Sequence, residues 1–320
     1  MPIRCVVLDD YQNVALKLAD WSSVTKDVEV HVINEPLADA AAAIAALKDA
    51  EIVCLMRERT PMPKAVIDAL PKLKLIITTG AHNASVDLDA AAARGIVVSG
   101  TGGVGGPTAE LAIGLIIDLA RSITFEASRM RAGQPWQVTV GRDLAGSTLG
   151  VLGLGKLGGR VARIAQQFGM NVIAWSQNLT EERCREIGAT RVSKEELFAQ
   201  ADFITIHLTL SDRTRGLITV DDFKRMKKTA YIVNTSRGPI IDEDALYDAL
   251  KSKTIAGAAL DVYNVEPLPT GDRFRKLDNV ILTPHLGYVT EPNYRKFYED
   301  TVEDIRAFLD GSPVRPVKNK

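Results

Sequence analysis

Short β-branched runs separated by helix-length gaps recur along the whole chain, and this alternation leaves few folds open to it. The runs Ile3 to Leu8, Val28 to Ile33, Ile52 to Met56, Leu73 to Thr78 and Ile96 to Ser99 come first. They are nearly continuous in apolar character, as strands buried on both faces must be, and the gaps carry helix formers such as the alanine-rich stretch Ala38 to Leu47. A β-α-β-α-β series of this kind predicts a parallel sheet with helices on both faces. A glycine-rich bend, Gly100-Thr-Gly-Gly-Val-Gly-Gly106 followed by Pro107, then punctuates the chain ahead of a helix expected from Thr108 to about Met130. The second series is Thr148 to Leu152, Asn171 to Trp175, Phe203 to Ile206, Ala230 to Asn234, Ile255 to Leu260 and Val280 to Thr283. One more amphipathic helix is expected over about Pro292 to Leu309, with a polar tail from Gly311 to Lys320. At 320 residues the chain has room for two such domains.

Between the first strand of the second series and a helix expected from Lys156 to Phe168 lies Val151-Leu-Gly153-Leu-Gly155-Lys156-Leu157-Gly158. A G-x-G-x-x-G spacing in this strand-turn-helix frame is that of a dinucleotide-binding turn. Gly153 permits the tight turn, Gly155 lets the main chain approach a pyrophosphate, and Gly158 allows the helix to pack closely on the strand. The helix N-terminus, opening at Lys156 and Leu157, attracts the anion. The next strand should end where an acid would read the adenosine ribose, and Ser176-Gln177-Asn178 stands there instead. With no carboxylate to repel a 2'-phosphate, NADP is permitted. With no arginine among those three residues to grip it, NAD is favoured, since Arg183 and Arg185 lie farther along in an expected helix.

Polar groups then collect at the ends of three later strands, where ligands bind in open α/β sheets: Asn234-Thr235-Ser-Arg237-Gly238, Asp261-Val-Tyr-Asn-Val-Glu266-Pro267 and Thr283-Pro-His285-Leu-Gly287. Arginine, glutamate and histidine together suit reduction of a 2-keto acid. Arg237 can present a planar fork to the carboxylate and polarise the carbonyl beside it. His285 can give a proton to the oxygen as hydride arrives at carbon, and Glu266, if it bonds the other imidazole nitrogen, favours the protonated ring. Taken singly, an arginine after a strand more often makes a salt bridge and a glutamate before proline is more often solvated. The three together, beside the glycine turn, point to chemistry.

On these motifs, with Leu144-Ala-Gly146-Ser-Thr-Leu-Gly150, His207-Leu-Thr-Leu and Ala258-Ala-Leu-Asp-Val262, almost the whole chain resembles the D-isomer-specific 2-hydroxyacid dehydrogenase family. The resemblance implies two doubly wound parallel-sheet α/β domains, a flavodoxin-like substrate domain and a Rossmann cofactor domain, with the site in an interdomain cleft. The substrate domain would be discontinuous, 1–100 plus 290–320, around an NAD(P)-binding domain at 101–289. It further implies that Arg237, Glu266 and His285 are the catalytic set, that Asp261 holds the nicotinamide amide, that His207 and Thr235 lie near the cofactor, and that the chain is a homodimer joined partly through the helix after Pro107.

The loop Thr78-Thr-Gly80-Ala81-His82-Asn83-Ala84-Ser85-Val-Asp87 matches the family's substrate loop, whose backbone amides hold the substrate carboxylate. It departs from the family at two positions, where glycine is commoner than His82 and aspartate commoner than Ala84. His82 is therefore a candidate for the substrate's distal group. Arg57, at the end of the third strand, is a second candidate for an anionic group, whereas Arg59 is expected in a surface ion pair. For His207 a structural role is the stronger reading, and His31 has only that one.

Composition narrows the partners. Lys plus Arg is 39 and Asp plus Glu is 40, so no basic excess exists for a nucleic acid or an anionic membrane. Cys5, Cys54 and Cys184 show no C-x-x-C spacing, which suggests neither a disulfide framework nor a cysteine-based metal site and fits a reducing cytoplasm. The N-terminus lacks a signal-peptide core, and Glu110, Asp118 and Arg121 interrupt the apolar stretch Ala109 to Ala120 far short of a membrane span. The alternative to an NAD(P)-dependent enzyme acting on a small 2-keto or D-2-hydroxy acid is a dinucleotide-binding regulator of the corepressor type, without turnover.

Overall fold

Both series of apolar runs become parallel sheets in the structure, a computed structural model describing residues 2–318. The first sheet contains β1 (Ile3–Val7), β2 (Val28–Val32), β3 (Ile52–Leu55), β4 (Leu75–Thr78) and β5 (Val97–Gly100), in the order β2-β1-β3-β4-β5. The second contains β6 (Thr148–Leu152), β7 (Asn171–Trp175), β8 (Thr190–Arg191), β9 (Phe203–Ile206), β10 (Tyr231–Asn234), β11 (Gly257–Leu260) and β12 (Val280–Leu282), in the order β12-β11-β10-β9-β6-β7-β8. These are the two doubly wound orders, each reversing beside its first strand. The chain divides into two units, Met1–Gly105 with Val289–Lys320 and Gly106–Tyr288. Met1, Asn319 and Lys320, at the ends of the expected first domain, lie outside the described residues.

The near-continuous apolar strands are explained by the core. In the second unit alternate residues feed opposite faces of the sheet: Ile204, Ile232 and Ala258 join one buried cluster, while Phe203, Val233 and Ala259 join the other. Helices cover both faces, so inner strand positions are almost all apolar, and the polar one in β9, Thr205, is buried with its hydroxyl 2.9 Å from His207 Nε2.

Three local features depart from the sequence reading. The helix expected from Thr108 to about Met130 is two helices, Pro107–Arg121 and Ile123–Arg131, broken at Ser122, whose φ is +53°. Asp118 explains the break, because its Oδ1 accepts from the Thr124 N–H at 2.8 Å and caps the second helix. The short exposed strand β8 has too few residues to show periodicity. The expected polar tail is also structured: Val317 N–H donates to the Val98 carbonyl at 2.9 Å and Gly100 N–H to that of Arg315 at 3.0 Å, adding an antiparallel segment to β5. Among the described residues no helix is long and apolar enough to cross a membrane.

The C-terminal helix Glu291–Leu309 belongs to the first unit, where Asp300 Oδ2 accepts from Gly102 N–H at 2.7 Å and Asn293 Oδ1 from Val104 N–H at 2.8 Å. Asp304 on the same helix is fully buried, and Arg315 Nε donates to its Oδ1 at 3.1 Å. Burial outweighs that arginine and pushes the carboxyl up to about 7. A raised carboxyl stabilises the fold fully below the unfolded value, about 3.9, and the contribution is lost as pH rises through 7. Asp304→Asn, which keeps the Oδ1 acceptor and cannot ionise, should therefore raise Tm by a few degrees at pH 8 and hardly change it near pH 4. Equal gains in melts at both pH values would contradict this account.

Candidate active site

In the second unit the order of strands reverses between β6 and β9, so the loops leaving their carboxyl ends flank the crevice where such sheets bind ligands. The glycine turn leaves β6. Gly153 has φ +97°, and a β-carbon there would sit 2.7 Å from the His207 carbonyl oxygen at the end of β9. One at Gly158 would run into the Gly153 carbonyl, so the helix Lys156–Gln167 can pack this closely only with glycine. Gly155 is different: exposed, with nothing within 4 Å of where its side chain would point. It precedes the helix with no side-chain cap, which leaves the first-turn N–H groups around Lys156 and Leu157 for an anion.

Ser176, half-buried, and exposed Gln177 and Asn178 follow β7, which lies beside β6, and Gly153 N–H donates to the Trp175 carbonyl at 2.9 Å. Thr235, after β10, is buried, and its hydroxyl has no hydrogen-bond partner among the described residues. An open glycine, an uncapped helix N-terminus and an unpartnered hydroxyl fit a dinucleotide along this edge. His207 Nε2 lies 2.9 Å from Thr205 Oγ1, and burial lowers its titration to about 4, so the ring is neutral at pH 7.

Arg237 is placed by its own turn. Asn234 Oδ1 accepts from Ser236 N–H at 3.0 Å, its Nδ2 donates to the Arg237 carbonyl at 3.0 Å, and Ser236 Oγ donates to the Ile206 carbonyl at 2.8 Å. Gly238 then lets this loop lie against the loop after β11, since a β-carbon there would be 2.5 Å from the Tyr263 carbonyl oxygen. That second loop carries Glu266, whose peptide bond to Pro267 is cis.

Glu266 and His285 meet. Glu266 Oε2 lies 2.6 Å from His285 Nδ1, and Oε1 accepts from the Tyr263 N–H at 2.8 Å. With a carboxylate opposite, Nδ1 carries a proton, and Nε2 is the nitrogen left for a ligand. The His285 side chain is 19% exposed and that of Glu266 30%, so a small molecule can reach the pair. Burial pushes the Glu266 carboxyl up, but the bond and charge of His285, the Tyr263 N–H and the Arg237 charge together hold it below the usual carboxylate range. Glu266 is thus an anion throughout the neutral range.

The backbone that carries His285, at φ +53°, is fixed by Asp261. This fully buried carboxyl accepts from Thr283 Oγ1 at 2.7 Å, Leu286 N–H at 2.7 Å and Gly287 N–H at 2.8 Å. Burial outweighs these bonds and raises it above the usual range. Two tyrosines complete the surroundings. The Tyr263 hydroxyl donates to the Leu260 and Thr283 carbonyls, each at 2.9 Å, and the Tyr288 ring stands edge-on to His285 at 5.2 Å. Sequence reasoning missed the anchoring by Asp261 and Tyr263, although both lie inside a motif it singled out.

In the first unit Gly80, at φ +86°, donates its N–H to Thr101 Oγ1 at 2.8 Å and lies beneath the Arg57 guanidinium. Arg57, at φ +53°, donates from Nη1 to the Thr79 carbonyl at 3.1 Å, while Ala81 and His82 are exposed. Arg59 packs on its neighbours as well: Nη1 donates to the Asp9 carbonyl at 3.1 Å and the guanidinium lies over the Tyr11 ring at 4.5 Å. Among the described residues no group of three or more His, Cys, Asp or Glu could hold a metal ion.

Residues 113–287 match the family model described as D-isomer specific 2-hydroxyacid dehydrogenase, NAD binding domain. This chain belongs to the D-isomer-specific 2-hydroxyacid dehydrogenase family. Over 284 residues it is 39% identical to a D-3-phosphoglycerate dehydrogenase of Synechocystis sp., covering 85% of this chain but only 51% of that protein, so it spans about half of that relative's length. It is 36% identical to a glyoxylate reductase of Korarchaeum cryptofilum over 78% of this chain and 77% of the relative. Among solved structures, a phosphoglycerate oxidoreductase of Vibrio cholerae superposes with a TM-score of 0.91 at 34% identity, over 97% of this chain and 100% of the other. The glycine turn, Arg237, Asp261, Glu266 and His285 all lie within the matched NAD-binding region of this dehydrogenase family member.

Proposed function

We propose that this family member reduces a small 2-keto acid to the D-2-hydroxy acid, and runs the reverse reaction, with Arg237, Glu266 and His285 as its catalytic residues. The observation that carries the reading is the 2.6 Å contact between His285 Nδ1 and Glu266 in a site open to a small molecule. A nicotinamide held here would supply hydride to the carbonyl carbon, or take it from the hydroxyl-bearing carbon in the reverse direction. Arg237 grips the substrate carboxylate with two donors and polarises the adjacent carbonyl. His285 donates the Nε2 proton to the carbonyl oxygen. Glu266, an anion at neutral pH, stabilises the imidazolium and keeps the other proton on Nδ1; in the reverse direction neutral Nε2 takes the hydroxyl proton.

NAD is the proposed cofactor, held by Gly153, Gly155, Lys156, Leu157, Gly158, Ser176, Gln177, Asn178, His207, Thr235 and Asp261, with NADP as the second possibility. For substrate we propose, from the first unit, the backbone at Gly80 and Ala81, the His82 ring and Arg57, and, from the second, Arg237 and His285. A homodimer is proposed on the exposed apolar side chains Ile123, Phe125, Met130, Trp136 and Val138. Three free, buried cysteines agree with a reducing compartment such as the cytoplasm.

The test is a panel of 2-keto acids differing in size and charge, run with NADH and NADPH at equal concentration. Cofactor oxidation that depends on a 2-keto acid, and is faster with NADH, is the expected outcome. Tight binding of the dinucleotide without turnover of any panel member would reverse the reading in favour of a regulatory protein.

A further inference from the structure

The glycine turn is braced from behind by an arginine that the G-x-G-x-x-G pattern does not include, and we propose that Arg183 is a positioning residue that presets the pyrophosphate cradle. The inference rests on the dinucleotide reading above. Thr180 caps the helix Glu181–Ile187, its hydroxyl accepting from the Arg183 N–H at 3.2 Å, which sets Arg183 in the first turn. From there Nε donates to the Leu154 carbonyl at 3.0 Å and Nη2 to the Gly155 carbonyl at 3.2 Å, while Nη1 pairs with Glu186 at 3.0 Å. A guanidinium holds its donors in a rigid fork, so the two carbonyls are oriented together.

The consequence follows from peptide geometry. A trans peptide is planar, and its C=O points opposite to the N–H of the next residue. Turning the Leu154 and Gly155 carbonyls toward Arg183 therefore turns the N–H groups of Gly155 and Lys156 away from it. Those two donors lie at the uncapped start of the helix Lys156–Gln167, beside the open space over Gly155. The Gly155 carbonyl also accepts the first intrahelical bond, from the Gly159 N–H at 2.9 Å, so Arg183 reinforces that bond and orients the Leu154 peptide, leaving the cradle's donors aimed before the anion arrives.

Gly159 supplies an independent observation. It is not one of the three fingerprint glycines, yet a β-carbon there would be 3.1 Å from Arg183 Nη2 and 3.1 Å from Ile187 Cδ1. Gly158 clears the Gly153 carbonyl, and Gly159 clears the arginine. Arg185, two residues on, serves as an internal contrast: it pairs with Glu182 at 2.9 Å on the surface. Because the Arg183 guanidinium is committed to the turn, it does not serve a 2'-phosphate.

The test compares wild type, Arg183→Ala, Arg183→Lys and Arg185→Ala by calorimetric titration with ADP-ribose and NADH, steady-state kinetics and thermal melts. For Arg183→Ala the Kd for ADP-ribose and the KM for NADH should rise about tenfold, the loss of roughly one charge-assisted hydrogen bond, with kcat at saturating NADH changed less than about twofold. Arg183→Lys, which reaches one carbonyl, should be intermediate. Arg185→Ala, which removes the same charge from the same helix, should bind as wild type does. The proposal is overturned if Arg183→Ala binds ADP-ribose as tightly as wild type, or if Arg185→Ala weakens binding equally, which would make the effect one of charge. Should Arg183→Ala not fold, wild-type affinity in Arg183→Lys overturns it instead. A wild-type protein that binds neither probe sinks the dinucleotide reading as well, a result distinct from a loss confined to Arg183.

Discussion

His285→Ala should lower kcat for 2-keto acid reduction by about 10²–10⁴-fold while leaving NADH affinity near the wild-type value, because the substitution removes a proton donor and no part of the glycine turn. Glu266→Gln separates geometry from charge. Glutamine can still accept the Nδ1–H bond, 2.6 Å long with Glu266, so the ring stays oriented, but the anion that stabilises the imidazolium is gone. Reduction needs the protonated ring, and the pairing that lowers the Glu266 carboxyl favours that ring in turn. Without Glu266 the alkaline limb of the pH–rate profile for reduction should move to lower pH. Arg237→Lys completes the set: one ammonium cannot span carboxylate and carbonyl, and KM for the keto acid should rise as kcat falls. Wild-type rates in His285→Ala, or an unmoved profile in Glu266→Gln, would remove the pair from the chemistry.

The second large effect concerns a residue that touches no substrate. Gly238→Ala puts a methyl group 2.5 Å from the Tyr263 carbonyl oxygen and 2.7 Å from the Asn264 nitrogen, and both obstacles are backbone. The Arg237 loop must then move off the loop that carries Glu266. The expected cost is about 1–3 kcal/mol of stability, as for other overpacked sites. Activity should suffer more, since a displacement of about 1 Å in a catalytic group can cost on the order of 10²-fold in rate. Gly271→Ala is the matching control, as nothing lies within 4 Å of its would-be side chain. Paired measurements of Tm and kcat/KM decide the matter: if the two variants behave alike, the close approach at Gly238 does not position Arg237.

Much of the fold is legible in the sequence because strands buried on both faces are β-branched and apolar along almost their whole length. The run Phe203 to Ile206 is read directly for this reason, and it coincides with β9. The glycine turn is equally legible, since its backbone demands exclude other residues at Gly153 and Gly158. What escapes is anything decided through space by one polar atom. Asp118 ends a helix by bonding Thr124, Asp261 fixes the turn around His285, and Arg59 lies over Tyr11, yet each is an ordinary charged residue until the chain has folded. The meeting of Glu266 with His285 is intermediate: the residue types suggest it, but only the packing of the Gly238 loop on Tyr263 and the anchoring by Asp261 supply the geometry.

The antiparallel segment beside β5 has a bearing on how the polypeptide emerges during synthesis. The ribosome delivers the strands of the first sheet early, but the helix Glu291–Leu309 and the Val98–Val317 pairing that complete that unit come from the last part of the chain. The second unit, Gly106–Tyr288, has all its strands in hand before then. Vectorial folding therefore lets the unit Gly106–Tyr288 mature before the one whose strands precede it, which waits, its β5 edge unpaired, for residues 291–317.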